Sequence, residues 1–414
     1  LGTGTGELDK SCRWGYWSRP LHYIHCTETR TGLTAKRLVL ENEAAAYCKR
    51  VTIRLISQRF SGVGVLRFTA DLSIGNPQLA PDAPKKYYQV ASRIKRNIET
   101  APHKQQISEA QNVRQHIMAA TTTIQVPHLG GITAGYRLSG DKVDPAKPTV
   151  VLINSMCTTV SLYNDQFDSK TLTDAVNLLA IEPLGHGATS CPVEHFTYWD
   201  TAVMALQVMD KLGVEKAFAL GTSQGGWMVT RMALLAPERI LGLLPLGTSM
   251  DYESADSRVK GCWDPKAQLL AFYDSWSSPV PTPDFVVDDI WCGMVGSLGF
   301  SGTVPPETLE FWTKTLKSVY KGDEGRRKLK IALGNLLSRD GLLLRIRDIK
   351  CPVYWLQGTA DPVFGVNIPT EQIKLFTSSP EATLTMVEGG GHYLNATSPK
   401  EVEEALLKMV QKYA

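Results

Sequence analysis

One ten-residue stretch restricts the fold more than any other: Phe218-Ala219-Leu220-Gly221-Thr222-Ser223-Gln224-Gly225-Gly226-Trp227. An apolar run of strand character ends at Gly221, a serine follows two positions on, and a helical pattern starts directly after it. A strand that turns this sharply into a helix needs small residues on both sides of the serine, and Gly221 and Gly225 meet that need. Such a turn raises the Ser223 hydroxyl above the sheet edge and aims the next backbone N–H groups at one spot. Gly-x-Ser-x-Gly alone is a weak signal: a chain of 414 residues shows one by chance about one time in ten. Its weight depends on partners elsewhere in the chain.

The surrounding pattern is strand–helix alternation. Thr121–Val126 and Ile132–Leu138 read as strands joined at Gly130-Gly131, followed by Pro148–Asn154, Val176–Glu182, Lys216–Leu220 and Ile240–Leu246. Several of these are continuous runs of β-branched residues and leucine, as expected of parallel strands buried on both faces. Helical patterns over 158–172, 198–212 and 224–235 separate them, which predicts an α/β domain with a mostly parallel sheet. Residues 251–349 interrupt the rhythm with four helical pieces, 264–275, 284–297, 306–320 and 324–339, and with Trp263, Trp276, Trp291 and Trp312. This insertion reads as a helical lid whose aromatics form its own core, with one or two lining a pocket. The sheet resumes at Cys351–Gln357 and Ala382–Val387, with helix 369–377 between them and an amphipathic helix over 399–413 at the end.

Residues 1–117 are different. They hold 18 Lys and Arg against 9 Asp and Glu, and all ten methionines lie at or beyond Met118. Short apolar pieces at 38–40 and 63–66 have strand character, but no sustained periodicity organises the segment. It reads as a basic extension, disordered or joined by a mistaken start with Met118 as the true one; a nucleic-acid or membrane-targeting arm is the less favoured reading. The expected division is therefore 1–117 extension, 118–250 first part of the core, 251–349 lid and 350–414 second part of the core.

Composition narrows the class. With 43% apolar and 21% charged residues and no run of about 18 apolar residues, neither a membrane span nor a nucleic-acid-binding protein is indicated. No secretory leader pattern opens the sequence. The eight cysteines contain no CxxC pair, so no zinc site or disulfide framework is expected; idle thiols in a reducing, cytoplasmic compartment are. No dinucleotide fingerprint, phosphate loop or metal-ligand cluster is present, and no cofactor or metal is expected.

A serine hydroxyl needs a base within hydrogen-bond reach and a carboxylate to orient that base. Ser223, Asp361 and His392 occur in the order nucleophile, acid, base, each just past the end of an expected strand, where an open α/β sheet presents its crevice. His392 follows Gly389-Gly390-Gly391, a flexible route to the serine. His128, His186 and His195 follow no late strand and read as structural. The oxyanion that forms when Ser223 attacks a carbonyl needs two backbone donors. Gln224 supplies one, and Met156 in the loop after strand 150–154 is the choice for the other, with Ser155 and Cys157 as neighbours of equal type.

Residues 119–413 resemble the α/β-hydrolase superfamily, and within it the serine hydrolases with a helical lid such as lactonases, carboxylesterases and meta-cleavage hydrolases. The marks are Leu152–Met156, Glu182-Pro-Leu-Gly-His-Gly187, Gly221–Gly225, Gly358-Thr-Ala-Asp-Pro362 and Gly390-Gly-His392. The resemblance implies an eight-stranded, mostly parallel sheet with helices on both faces, and hydrolysis of a small-molecule ester or lactone through an acyl-enzyme. The sequence is also similar to fungal members found beside secondary-metabolite pathways. It departs from the family at three points. Asn154-Ser155 replaces the usual His-Gly, so Asn154 shapes the oxyanion loop or donates its own amide. Glu182 stands where Asp is common, with a structural role expected. Gln224 replaces the common Met, to orient water, contact substrate or pack. Carbon–carbon bond hydrolysis is the alternative, with Arg326-Arg327-Lys328, Arg345 and Arg347 as cations for an acidic substrate or simply exposed helix charges; acyl transfer on the same triad is another.

Overall fold

The computed structural model describes residues 120–414 except Thr303, together with the backbone of four earlier strands. Those four are β1 (Tyr23–Cys26), β2 (Lys36–Val39), β3 (Val51–Gln58) and β4 (Arg67–Ile74), an antiparallel sheet in sequential order. They belong to a separate unit, Leu1–Arg114. The other expectations for residues 1–117, including the strand at 63–66 and the start at Met118, lie outside the described residues.

The second unit is built on an eight-stranded sheet. Its strands are β5 (Thr122–Val126), β6 (Ile132–Leu138), β7 (Thr149–Ile153), β8 (Asn177–Ile181), β9 (Ala217–Thr222), β10 (Ile240–Leu246), β11 (Val353–Gly358) and β12 (Ala382–Val387). The spatial order is β12-β11-β10-β9-β7-β8-β6-β5. β7 to β12 pair in parallel, while β5 pairs with β6, and β6 with β8, in antiparallel fashion.

The strand sequences explain the layers. Successive side chains of a strand point to opposite faces, so a continuous apolar run serves two cores at once. Val151, Ile153, Leu179, Ala219, Leu243 and Trp355 face one core; Val150, Leu152, Leu178, Leu220, Leu244 and Leu356 face the other. The first core is closed by α3 (Tyr198–Lys211) and α4 (Gln224–Leu235). The second is closed by Leu172 of α2 (Lys170–Ala175), which follows α1 (Asn164–Asp168), and by Val402, Leu406, Met409 and Val410 of the C-terminal helix 399–413.

The insertion between β10 and β11 holds five helices, α5 (Ala255–Val259), α6 (Pro265–Trp276), α7 (Asp289–Gly299), α8 (Pro306–Val319) and α9 (Gly322–Leu337). Ser254, Asp264 and Asp288 cap α5, α6 and α7 by accepting from the N–H groups of Ser257, Ala267 and Trp291. Trp276 and Trp291 meet edge to face at 4.8 Å between centroids, with Phe272 5.0 Å from Trp291, so these aromatics form the insertion's own core. Its entry and exit are adjacent: the Leu342 N–H donates to Met250 O at 2.6 Å. Elsewhere it is tied to the sheet domain by Tyr393 N–H to Gly299 O and by Lys328 Nζ to Gly187 O, both 2.8 Å.

Two helix expectations need correction. Residues 158–172 form a 3-10 turn (Val160–Tyr163) followed by α1 and the start of α2, because Thr159 and Ser169 accept from Ser161 N–H and Leu172 N–H and so begin new helices. α5 was not expected; Ser254 and Ser257 both donate to the Asp251 carboxylate, which folds this polar segment into one turn. After β11 come α10 (Asn367–Gln372), α11 (Leu394–Thr397) and α12 (Pro399–Tyr413).

Candidate active site

β9 and β10 end in register, with Thr222 paired to Leu246, and Leu246 pairs in turn with Leu356 of β11, which runs on to Gly358. The residues just beyond this row are Ser223, Gly247 and Gln357. Ser223 has φ 57° and ψ −122°, a conformation an L-residue adopts only under constraint, at a cost of about 1–3 kcal/mol. The constraint is local and fully bonded: Ser223 N–H donates to Leu246 O at 2.9 Å, and Ser223 O accepts from Gly226 N–H at 2.9 Å and Thr248 Oγ1 at 2.7 Å. Glycine at 221 and 225 is a steric necessity. A Cβ on Gly221 would sit 2.2 Å from the Gly225 carbonyl carbon, and one on Gly225 would sit 2.0 Å from Ile153 O.

Asp361 and His392 come to the same corner. A Cβ on Gly247 would lie 2.4 Å from His392 O and 3.2 Å from Asp361 Oδ2, so the strand beside the serine passes directly under both. His392 Nδ1 lies 3.0 Å from Asp361 Oδ2. A carboxylate only accepts, so Nδ1 carries a proton, and the lone pair of the neutral ring is on Nε2. The Asp361 side chain is fully buried and saturated: Oδ2 also accepts from Gln357 Nε2 at 2.9 Å, and Oδ1 accepts from the Val363 and Phe364 N–H groups at 2.8 and 3.1 Å. The His392 ring is flanked by Phe364 and Tyr393, with centroids 5.7 and 5.5 Å away.

The loop after β7 lies against the first turn of α4, because Gly225 touches Ile153 O and the Asn154 carbonyl. Gln224 is the first residue of α4, where backbone N–H groups have no intrahelical acceptor. Cys157, next to Met156, has φ 58°, and burial pushes its thiol well above the usual range, which keeps it neutral. Asn154 spends its side-chain amide inside the loop, on Thr158 O at 2.9 Å and Ser155 O at 3.2 Å, and so shapes the loop. Glu182 is buried and accepts from the N–H groups of Val160 and Ala188 at 3.2 and 2.6 Å, tying two loops together; burial raises its carboxyl pKa.

Gln224 is enclosed in a way the sequence did not indicate. Its Oε1 accepts from the Tyr198 hydroxyl at 3.0 Å, and its Nε2 lies 3.0 Å from His186 Nε2. His186 Nδ1 sits 2.9 Å from Leu184 O, which accepts only, so the proton is on Nδ1 and Nε2 accepts from Gln224. Burial depresses the His186 pKa to about 4. Beyond Tyr198 lie Arg339 and Glu253, a buried ion pair that sequence patterning also missed; Arg339 Nη1 reaches Tyr198 Oη at 3.5 Å and its guanidinium stacks 3.9 Å over Trp227. His128 pairs with Asp200 at 2.8 Å, and His195 is exposed.

The insertion's cations are engaged or exposed. Arg326 donates to Val280 O, Arg327 to Glu324 and Cys191 O, Lys328 to Gly187 O and Arg345 to Asp348, while Arg347 is exposed. Among the described residues the five cysteines are free and buried, no group of His, Cys, Asp and Glu is placed to hold a metal, and no helix is long and apolar enough to cross a membrane.

Comparison with known proteins agrees with this architecture. A family model described as the alpha/beta hydrolase fold matches residues 148–260. The 3-oxoadipate enol-lactonase 2 of Acinetobacter baylyi is 21% identical over 275 residues, 64% of this chain and 90% of that protein. A dihydrolipoyllysine-residue acetyltransferase component of an acetoin cleaving system from Cupriavidus necator is 29% identical over 124 residues, and the chain spans only 32% of its length. Among solved structures, a hydrolase from Pseudomonas aeruginosa superposes with a TM-score of 0.55 at 23% identity, covering 71% of this chain and 99% of the other. Sheet order, elbow and the family model over residues 148–260 agree on one architecture: the second unit has the α/β-hydrolase fold.

Proposed function

We propose that the protein hydrolyses an ester or lactone of a small organic molecule through a Ser223–His392–Asp361 triad. The observation that carries this reading is the fully buried Asp361 holding His392 Nδ1 at 3.0 Å, beside a serine kept at φ 57° on a strand–helix turn. In the proposed reaction His392 Nε2 takes the proton of Ser223 Oγ as Oγ bonds to the substrate carbonyl carbon. The resulting oxyanion is met by the backbone N–H groups of Gln224 and Met156. The tetrahedral adduct collapses to an acyl-enzyme, the C–O bond to the alcohol breaks, and His392 returns its proton to the leaving oxygen. Water, deprotonated by the same imidazole, then releases the acid and restores Ser223.

The likeness to an enol-lactonase supports the ester or lactone class, and the resemblance to fungal members makes a secondary metabolite the proposed natural substrate. The engagement of the lid's cations favours this reading over carbon–carbon bond hydrolysis of an acidic substrate.

The test is turnover of a panel of p-nitrophenyl esters and five- and six-membered lactones. Ser223→Ala and His392→Ala should each lower kcat by about 10³-fold or more. A Ser223→Ala variant with wild-type turnover would overturn the scheme. Recovery of the acyl group on an added alcohol in preference to water would reassign the activity as acyl transfer.

A further inference from the structure

The strongest unassigned feature is the chain of buried polar groups around the Gln224 side chain. Between Arg339, which only donates, and Leu184 O, which only accepts, three successive groups each donate and accept in one sense. Arg339 reaches Tyr198 Oη, the Tyr198 hydroxyl donates to Gln224 Oε1, Gln224 Nε2 donates to His186 Nε2, and His186 Nδ1 donates to Leu184 O. Gln224 and His186 are buried to within 2% of complete exclusion from solvent. A buried amide that is satisfied at both ends cannot rotate or flip without leaving unpaired groups at each.

We propose that the Gln224 side chain is a positioning group: clamped between Tyr198 and His186, it fixes the backbone N–H of the same residue at the site where the oxyanion develops. This rests on the reading above that Ser223 is the nucleophile and the Gln224 N–H an oxyanion donor. Side chain and backbone share one Cα, and the carbonyl of the same peptide unit, Ser223 O, accepts from Gly226 N–H and Thr248 Oγ1, so the amide plane is held from both directions. A glutamine suits the task where a methionine would not, because it is anchored by directional bonds to α3 on one side and to the loop after β8 on the other. Arg339 extends the clamp to the helical insertion. It lies two residues past the end of α9, pairs with Glu253 at the insertion's start and stacks on Trp227 of α4, so the insertion is indexed to the helix that carries the amide.

The test uses the full chain and the variants Gln224→Leu and Tyr198→Phe. Leucine nearly preserves volume and removes both bonds; phenylalanine removes only the donor to Oε1. Three readouts are taken: labelling of Ser223 by a fluorophosphonate, steady-state kinetics on p-nitrophenyl butyrate, and affinity for an aryl trifluoromethyl ketone, whose adduct places an oxyanion where the substrate's would be. Gln224→Leu should lower kcat by about 10- to 100-fold with KM within about threefold of wild type, and weaken the ketone in parallel. Tyr198→Phe should act in the same direction, by about 3- to 10-fold. A variant with unchanged kcat and ketone affinity, or with an effect on KM alone, overturns the positioning role while a labelled wild type leaves the nucleophile reading intact. A wild type that the fluorophosphonate does not label at Ser223 defeats both. Should Gln224→Leu fail to fold, Tyr198→Phe decides the matter by the same criteria.

Discussion

Arg339 and Glu253 form an ion pair whose side chains are 2% and 6% exposed, one residue at each end of the helical insertion. Besides the closest contact, Arg339 Nε donates to Glu253 Oε2 at 3.2 Å, and Trp263 Nε1 donates to Glu253 Oε1 at 3.1 Å. Two charges removed from water this completely are expensive to separate. Glu253→Ala leaves the guanidinium buried without its counter-charge and should destabilise the sheet domain by about 3–5 kcal/mol, read from urea unfolding. Replacing both partners by apolar residues, as in Glu253→Leu with Arg339→Met, should recover most of that loss. A double variant no more stable than the single one would mean that the cost arises elsewhere.

His186 carries a pH dependence of definite sign. Its folded-state pKa, about 4, lies below the ordinary 6.5, so the unfolded chain binds the extra proton between those values. Stability is therefore complete above about pH 6.5 and declines as pH falls through the window to 4, by about 3 kcal/mol for this group. Glu182, raised by burial, contributes with the opposite sign, since its stabilising effect is lost as pH rises through its folded-state value. The measurement is thus a difference: the drop in unfolding free energy from pH 7 to pH 4.5 should be smaller in His186→Asn than in wild type. Equal drops would show that His186 is not the group responsible.

Gln357 holds the carboxylate oxygen that His392 uses, with its Nε2 2.9 Å from Asp361 Oδ2. If the triad operates as proposed, Gln357→Leu removes a hydrogen bond to a charged acceptor and should lower kcat by about tenfold without changing KM. Asp361→Asn should be far more severe, by up to about 10⁴-fold, because an amide cannot hold the imidazole in the same tautomer. Steady-state kinetics on one active ester checks both, and a Gln357→Leu effect confined to KM would contradict the assignment.

Gly225→Ala tests the packing of the elbow independently of catalysis. The added methyl would lie 2.0 Å from Ile153 O, against backbone that β7 fixes on both sides. Overpacking of this kind costs about 1–3 kcal/mol or more, so a lowered melting temperature is expected. An alanine variant as stable as wild type would mean that β7 and α4 can move apart.

The strands and the order Ser223, Asp361, His392 were readable in the sequence because each rests on local chemistry: apolar runs between turns, and small residues flanking a polar one. The helix expected over 158–172 was not, since Thr159 and Ser169 restart the backbone through side-chain bonds that apolar spacing does not reveal. The clamp was less legible still. His186, Tyr198, Gln224, Glu253 and Arg339 come from five separated segments, and only the sheet brings them together. Gln224 drew notice as a polar residue where Met is common, but nothing nearby in the chain named its partners.

The adjacency of Met250 and Leu342 has an evolutionary corollary. Because the insertion leaves and re-enters the sheet domain through a single doorway, its 91 intervening positions can change in length and sequence without disturbing the order of the eight strands. The elbow, by contrast, tolerates no side chain at 221 or 225. Innovation in such a protein is channelled into one interchangeable cassette, and recombination at that doorway is the route by which an old reaction centre would acquire a new clientele.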